Sequence, residues 1–301
     1  METREQPAIT FTGVTKRYKD TLALDGVDLE VPSGLLTGFL GPNGAGKTTS
    51  FRAIMGLTAA TAGTIRVLGM QVGPDTHRIV KRVGAIIEEP GLHKTLTARD
   101  NLQVSADTIG AGAGRIPELL DFVSLSEVAD KKVGQFSKGM RQRLALAQAM
   151  LSDPDLLILD EPLDGLDPQG QVDLKERLRA LASESNKTIV VSSHNLADVE
   201  QLADHVVVIN KGRVVTTGTV RDLLGDDGSF EVKVADLTAA QAALIAAGID
   251  SHVASDHLSV TATDGSEISR ILAGAGIYPS ALVPVRRSLE SVFLQLTGDD
   301  Q

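Results

Sequence analysis

Two short segments hold residue types at spacings that would do chemistry together. The first is "GPNGAGKT" at 41–48, set between an apolar run and a helical pattern. Glycines let successive backbone N–H groups turn inward around phosphate oxygens, and the N-terminus of the following helix adds its positive end. In such a loop Gly41, Pro42, Asn43, Gly44, Ala45 and Gly46 line the phosphates and Lys47 reaches between the β- and γ-phosphates. Thr48 places its hydroxyl on Mg²⁺, and Thr49 donates to another phosphate oxygen. The second segment is "LLILDEP" at 156–162, a buried strand whose carboxyl end delivers Asp160 and Glu161 side by side. Asp160 suits a metal ion, held directly or through water. Glu161 suits a water poised for in-line attack, so metal ligand and base are adjacent but distinct. The plainer readings are a glycine-rich turn and an acidic strand end at the surface.

Composition bounds what can position these residues. With 301 residues, 42% hydrophobic and 23% charged, the chain can bury a sizeable core as one large or two smaller globular domains. The longest uncharged stretch, 31–46, contains Pro32 and Pro42 and falls short of the ~20 apolar residues a membrane span needs. Neither a span nor a secretory signal is visible. The absence of cysteine excludes disulfides, thiolate chemistry and Cys-ligated metal, and it fits a reducing compartment. The six histidines are scattered, which argues against a zinc site. A formal charge of −10 repels nucleic acid on average, so no nucleic-acid partner is expected.

Apolar runs rich in β-branched residues alternate with segments of helical period, the pattern of a parallel sheet covered by helices. The expected strands are "GLLTGFL", "VGAII", "DLLILD", "TIVVSS" and "HVVVIN". Residues 97–152 read instead as a helical insertion, broken by "GAGAG" at 110–114 and opened by "TARD" at 97–100, where Thr97 and Asp100 can cap the first helix. A single sheet-and-helix domain carrying both chemical segments is therefore expected over 1–224. "GDDGS" at 225–229 reads as a linker. The accessory segment 225–301 alternates strand-like "FEVKV", helix-like "TAAQAALIAAG", strand-like "HLSVTAT" and helix-like "GSEISRILAGA", which predicts a small α+β domain with a ferredoxin-like arrangement as one candidate.

Many phosphate-loop proteins share the first two segments, and the discriminating residues lie elsewhere. "FSKGMRQRLALAQAML" at 136–151 resembles the signature segment of ABC-type ATPases, usually written LSGGQ and followed by a basic "QR" stretch. Standing alone, it would read as a serine-capped amphipathic helix. "LDGLDP" at 163–168 resembles the family's D-loop, with Asp167 its carrier. His194 in "IVVSSHN" matches the switch histidine at the γ-phosphate, and Tyr18 in "KRYKD" matches the aromatic on which adenine stacks. The order Tyr18, Lys47, Ser137, Asp160, Asp167, His194 reproduces the family's order and approximate spacing.

The resemblance implies an α/β fold of the P-loop NTPase class, with a parallel-sheet core, an antiparallel β subdomain and a helical insertion. It also implies that ATP and Mg²⁺ bind between two chains, with Ser137 and the Gly139 N–H of one chain on the γ-phosphate held by the other. All motifs for both composite sites occur in one chain, so a homodimer is expected, with pairing to a different ATPase left open. The same resemblance implies a separate transmembrane permease subunit and a peripheral place on the cytoplasmic face of the membrane.

In the family's Q-loop a glutamine follows the strand before the helical insertion, approaching Mg²⁺ and the attacking water, and the loop beyond it touches the membrane subunit. Here the residue after "VGAII" is Glu88. A carboxylate binds Mg²⁺ at least as well as an amide carbonyl, yet it adds negative charge beside the phosphates and cannot donate a hydrogen bond. The "EEPG" version resembles bacterial exporters of drugs and peptide antibiotics, including bacitracin-type and lantibiotic-immunity transporters. The alternative is that Glu88 is a solvated strand end and Glu89 or another residue fills the role. A soluble ABC-type ATPase acting on nucleic acid or ribosomes, an importer ATPase, and a GTPase or small-molecule kinase are the competing function classes. The chain has one cassette, no sustained heptads and no N-K-x-D, so the soluble ATPase and the GTPase or kinase explain less of the sequence, while export over import rests on "EEPG", "FSKGM" and the tail "RRSLESVFLQLTG".

Overall fold

The chain opens with an antiparallel pair, β1 (Ile9–Tyr18) and β2 (Thr21–Val31), then enters a second sheet at β3 (Leu36–Leu40) and turns through the phosphate loop into α1 (Lys47–Ile54). It returns to the first sheet with β4 (Ala62–Val67) and β5 (Met70–Gln71), and α2 (Thr76–Ile79) leads to β6 (Val83–Ile86). A helical block follows, formed by α3 (Ala98–Ile109), α4 (Ile116–Phe122) and α5 (Lys138–Ala149) with 3₁₀ turns between them. The chain then alternates β7 (Leu156–Leu159), α6 (Pro168–Ser185), β8 (Thr188–Ser193), α7 (Leu196–Leu202) and β9 (His205–Asn210), closing on β10 (Arg213–Thr219). This computed structural model describes residues 6–88, 90–225, 229–262, 264–285 and 288–297. Glu89, linker residues 226–228 and, in the C-terminal tail, Arg286, Arg287 and Gly298 lie outside them. Contacts divide the described chain into two compact units, Arg221–Leu294 and the rest.

The five apolar runs expected as strands all lie in one sheet of order β10-β9-β3-β8-β7-β6, parallel except for β10 at its edge. Every residue of β3, β7 and β8 is buried, which is why these strands read as unbroken apolar runs. The other sheet, β2-β1-β4-β5, is antiparallel, as the resemblance implied. Phe39 of β3 and Phe51 of α1 pack with ring centroids 5.4 Å apart, fixing the helix that starts at the phosphate loop onto the strand that leads into it.

Parallel register brings the strand ends level. Leu40 of β3 lies opposite Ser193 of β8, Leu159 of β7 opposite Val191, and Ile86 of β6 opposite Leu159. The chemistry-bearing residues therefore leave the sheet together at its carboxyl edge. Helix α5 is drawn against β6 at Gly84, where any Cβ would collide with the Ala149 carbonyl. Thr97 caps α3 by accepting the Asp100 N–H at 3.0 Å. The reciprocal half of the expected cap differs: the Thr97 hydroxyl donates a hydrogen bond to Asp100 Oδ2 at 2.7 Å.

The second unit begins within α8 (Val220–Leu224), runs β11 (Ser229–Lys233), α9 (Leu237–Ala246), β12 (Asp250–Val253), β13 (Leu258–Thr261), α10 (Gly265–Gly274) and β14 (Ala281–Pro284), and ends within α11 (Leu289–Thr297). Its sheet is antiparallel in the order β12-β13-β11-β14, the ferredoxin-like split βαβ arrangement. Asp236 caps α9 and Asp264 caps α10. Val232, Leu244, Leu258, Val260, Ile268 and Leu272 fill its separate core. The tail forms a helix, with Leu289 buried and Leu296 exposed.

Candidate functional site

The phosphate loop buries Gly41, Ala45 and Lys47 and leaves Pro42, Asn43 and Gly44 exposed. Gly46 takes φ 113°, in the left-handed region, and a Cβ there would stand 2.8 Å from the Ala23 carbonyl oxygen. Lys47 Nζ donates to the Gly41 carbonyl at 2.6 Å and lies 3.4 Å from Glu161 Oε1. Next to it the Thr48 hydroxyl donates to Asp160 Oδ2 at 2.8 Å, while Thr49 continues the first turn of α1.

Asp160 is 9% exposed, and a carboxylate that buried needs partners for both oxygens. Its second oxygen accepts the Ser192 hydroxyl at 2.5 Å, and the same hydroxyl oxygen accepts the Glu161 N–H at 2.8 Å. Glu161 then turns at φ 47°, a left-handed conformation that costs a non-glycine residue ~1–3 kcal/mol and collects at functional sites. Its carboxylate lies between Lys47 and His194, with Oε2 3.0 Å from His194 Nδ1. Asp164 joins this group: Glu161, Asp164 and His194 bring oxygen or nitrogen atoms within 4.8 Å of one another.

Glu88 also turns in the left-handed region, at φ 63°. Arg52 Nη2, from the last turn of α1, donates to both of its carboxylate oxygens at 2.7 Å. That hydrogen bond, with the carboxylate's charge behind it, raises the guanidinium above its ordinary pKa. Glu88, Asp160, Glu161, Asp164, Lys138 and Arg141 all line one groove of 440 Å³.

The remaining expected residues have other local roles. Ser137 is the N-cap of α5 and accepts the Met140 N–H at 3.2 Å, with Gly139 in the first turn behind it. Asp167 is the exposed N-cap of α6, preceding Pro168. Tyr18 ends β1, 40% exposed, with its hydroxyl on Thr58 and Lys16 Nζ 4.6 Å from its ring centroid. The structure thus brings Lys47, Thr48, Asp160, Glu161 and His194 into one bonded cluster and holds Tyr18, Ser137, Gly139 and Asp167 by separate contacts. Ser192, Arg52 and Asp164 were not foreseen. Ser192 had a signal, because a hydroxyl inside a fully buried strand needs a partner. Arg52 had none, since its pairing depends on how α1 meets the end of β6. A larger groove of 920 Å³, lined by Pro90, His93, Val104, Thr108 and Gln148 among others, opens beside α3 and α5.

Residues 24–164 match the family model described as ABC transporter. The bacitracin transport ATP-binding protein BcrA of Bacillus licheniformis is 44% identical over 208 residues, covering 69% of this chain and 68% of the relative. The daunorubicin resistance ATP-binding protein DrrA3 of Streptomyces coeruleorubidus is 37% identical over 307 residues, 98% of this chain and 97% of the relative. Among solved structures, the dimeric post-hydrolysis state of the ATP-binding cassette MJ0796 bound to ADP and Pi superposes with a TM-score of 0.66 at 25% identity, covering 71% of this chain and 99% of that one. A phosphate loop bonded to two strand-end carboxylates, on this sheet and with these relatives, means that the chain belongs to the ATP-binding, ATP-hydrolysing proteins of the ABC transporter family.

Proposed function

We propose that the chain powers a separate permease that exports drugs or peptide antibiotics, and that it works as a homodimer closing on two ATP molecules. The observation that carries the ATPase reading is the cluster joining Lys47, Thr48, Asp160, Glu161 and His194. Each site takes its phosphate loop, Asp160, Glu161 and His194 from one subunit and Ser137 and Gly139 from the other, with Asp167 at the crossing and Tyr18 against the adenine. Export is supported by the bacitracin and daunorubicin relatives and by the glutamate at position 88. Among the described residues no helix is long and apolar enough to cross a membrane, which supports a peripheral subunit held by its permease. The 920 Å³ groove behind Pro90 and His93 is the surface we assign to that contact.

The residues around Asp160 fit Mg²⁺, a cation that prefers hard oxygen ligands. Thr48 and Asp160 would hold it, with Glu88 nearby, and its chemistry there is to neutralise charge on the phosphate oxygens. Glu161 accepts a proton from the attacking water. His194 Nδ1 on Oε2 fixes the orientation of that carboxylate, and Lys47 bridges it to the phosphate loop. A positioned base contributes ~10²–10⁴-fold, so Glu161→Gln removes most turnover while ATP still binds. Sizing of this variant with and without ATP tests the reading. An ATP-dependent dimer supports it, and a monomer carrying bound ATP overturns it.

A further inference from the structure

A glutamate at position 88 presents an electrostatic problem that the structure resolves. Ile86 pairs with Leu159 across β6 and β7, and Glu88 and Glu161 each stand two residues beyond that pair. Both line the same groove as Asp160 and Asp164, so four carboxylates face the region that receives phosphate. Three of them are answered within the site. Asp160 takes two hydroxyls, Glu161 lies between Lys47 and His194, and Glu88 is clasped by Arg52 Nη2 through both oxygens at 2.7 Å.

As a stabilising ion pair this contact counts for little, because its side chains are 42% and 54% exposed. Its position matters more. Arg52 stands on the helix that begins with Lys47 and Thr48, and Glu88 stands on the loop that leaves β6 toward α3. One nitrogen shared by two oxygens sets a positive charge directly against the carboxylate, at a residue whose backbone already sits in the left-handed region.

We propose that Arg52 is a positioning residue for ATP binding: by clasping Glu88 it lets a glutamate stand beside Glu161 without adding a free negative charge to the phosphate site. This rests on the reading of Glu88 as a site residue. Arg52 then does for Glu88 what Lys47 does for Glu161. It also ties the phosphate-loop helix to the loop that carries the signal toward the helical insertion.

The test is a double-variant cycle read by titration with a fluorescent ATP analogue, with kcat, KM and the thermal midpoint measured alongside. Arg52→Gln keeps most of the apolar stem and should weaken ATP binding roughly two- to five-fold at low salt, the scale of one exposed ion pair. The loss should shrink at high salt, KM should rise more than kcat falls, and the midpoint should barely move. In a Glu88→Gln background the same change at Arg52 should cost nothing, since no carboxylate remains to neutralise. An equal loss in both backgrounds, no loss in either, or a fall in the midpoint with unchanged ATP affinity would overturn the proposal. If Glu88→Ala left ATP affinity and coupled transport at wild-type values, the placement of Glu88 in the site would fall first. A defect in Glu88→Ala with none in Arg52→Gln would sink the role of Arg52 alone.

Discussion

Ser192 grips Asp160 from inside the sheet: its hydroxyl donates to Asp160 Oδ1 at 2.5 Å while accepting the Glu161 N–H at 2.8 Å. One side chain on β8 thus fixes both the buried carboxylate and the strained residue after it. Ser192→Ala leaves a buried carboxylate oxygen and a backbone N–H short of a partner, a loss of about 1–3 kcal/mol. The thermal midpoint should drop by several degrees, and kcat should fall more than ATP affinity because Glu161 loses its anchor. Melting curves with steady-state ATPase kinetics check this. A variant that melted and turned over like the wild type would show that the contact does not position Glu161.

The Thr48 to Asp160 hydrogen bond joins the two residues proposed to hold Mg²⁺. Thr48→Val and Asp160→Asn each remove an oxygen or a charge that Mg²⁺ would use. For the wild type, adding Mg²⁺ should strengthen ATP binding; for both variants that gain should largely vanish, while binding of metal-free ATP persists. Titrations with ATP in EDTA and in excess Mg²⁺ separate the two cases. If Mg²⁺ still strengthened ATP binding to the wild-type extent, these residues would not be its ligands.

The fold was legible where burial was complete. β3, β7 and β8 read directly as strands because no face of theirs meets water, whereas β2, where Val27, Leu29 and Val31 are buried and Asp28 and Glu30 exposed, was not among the expected strands. β12 and β14 went unread: the first buries only Ser251 and the second buries no residue fully, so neither carries a period to detect. At the site, Lys47, Asp160 and Glu161 were legible because their spacing and flanking elements restate the chemistry. The partners of those residues were not. Ser192 meets Asp160, and Arg52 meets Glu88, only through sheet register and the docking of α1, which are long-range properties that local sequence does not encode.

The same sheet contains a built-in acid sensitivity. His205 begins β9 opposite Thr37 of β3, and among the described residues neither His205 Nδ1 nor Thr37 Oγ has a hydrogen-bond partner although both are buried. Burial pushes the imidazole below its usual value near 6.5. The unfolded chain therefore binds a proton at a pH where the folded chain does not, and stability rises with pH across that interval. The sign follows directly: folding is most favourable above 6.5 and weakens as pH falls through 6.5 toward the lower folded value. Replacing the titrating ring by a neutral side chain, His205→Asn, removes this contribution. Thermal midpoints from pH 8 to pH 5.5 should fall less steeply in the variant than in the wild type. Identical slopes would show that His205 takes up its proton equally well in both states.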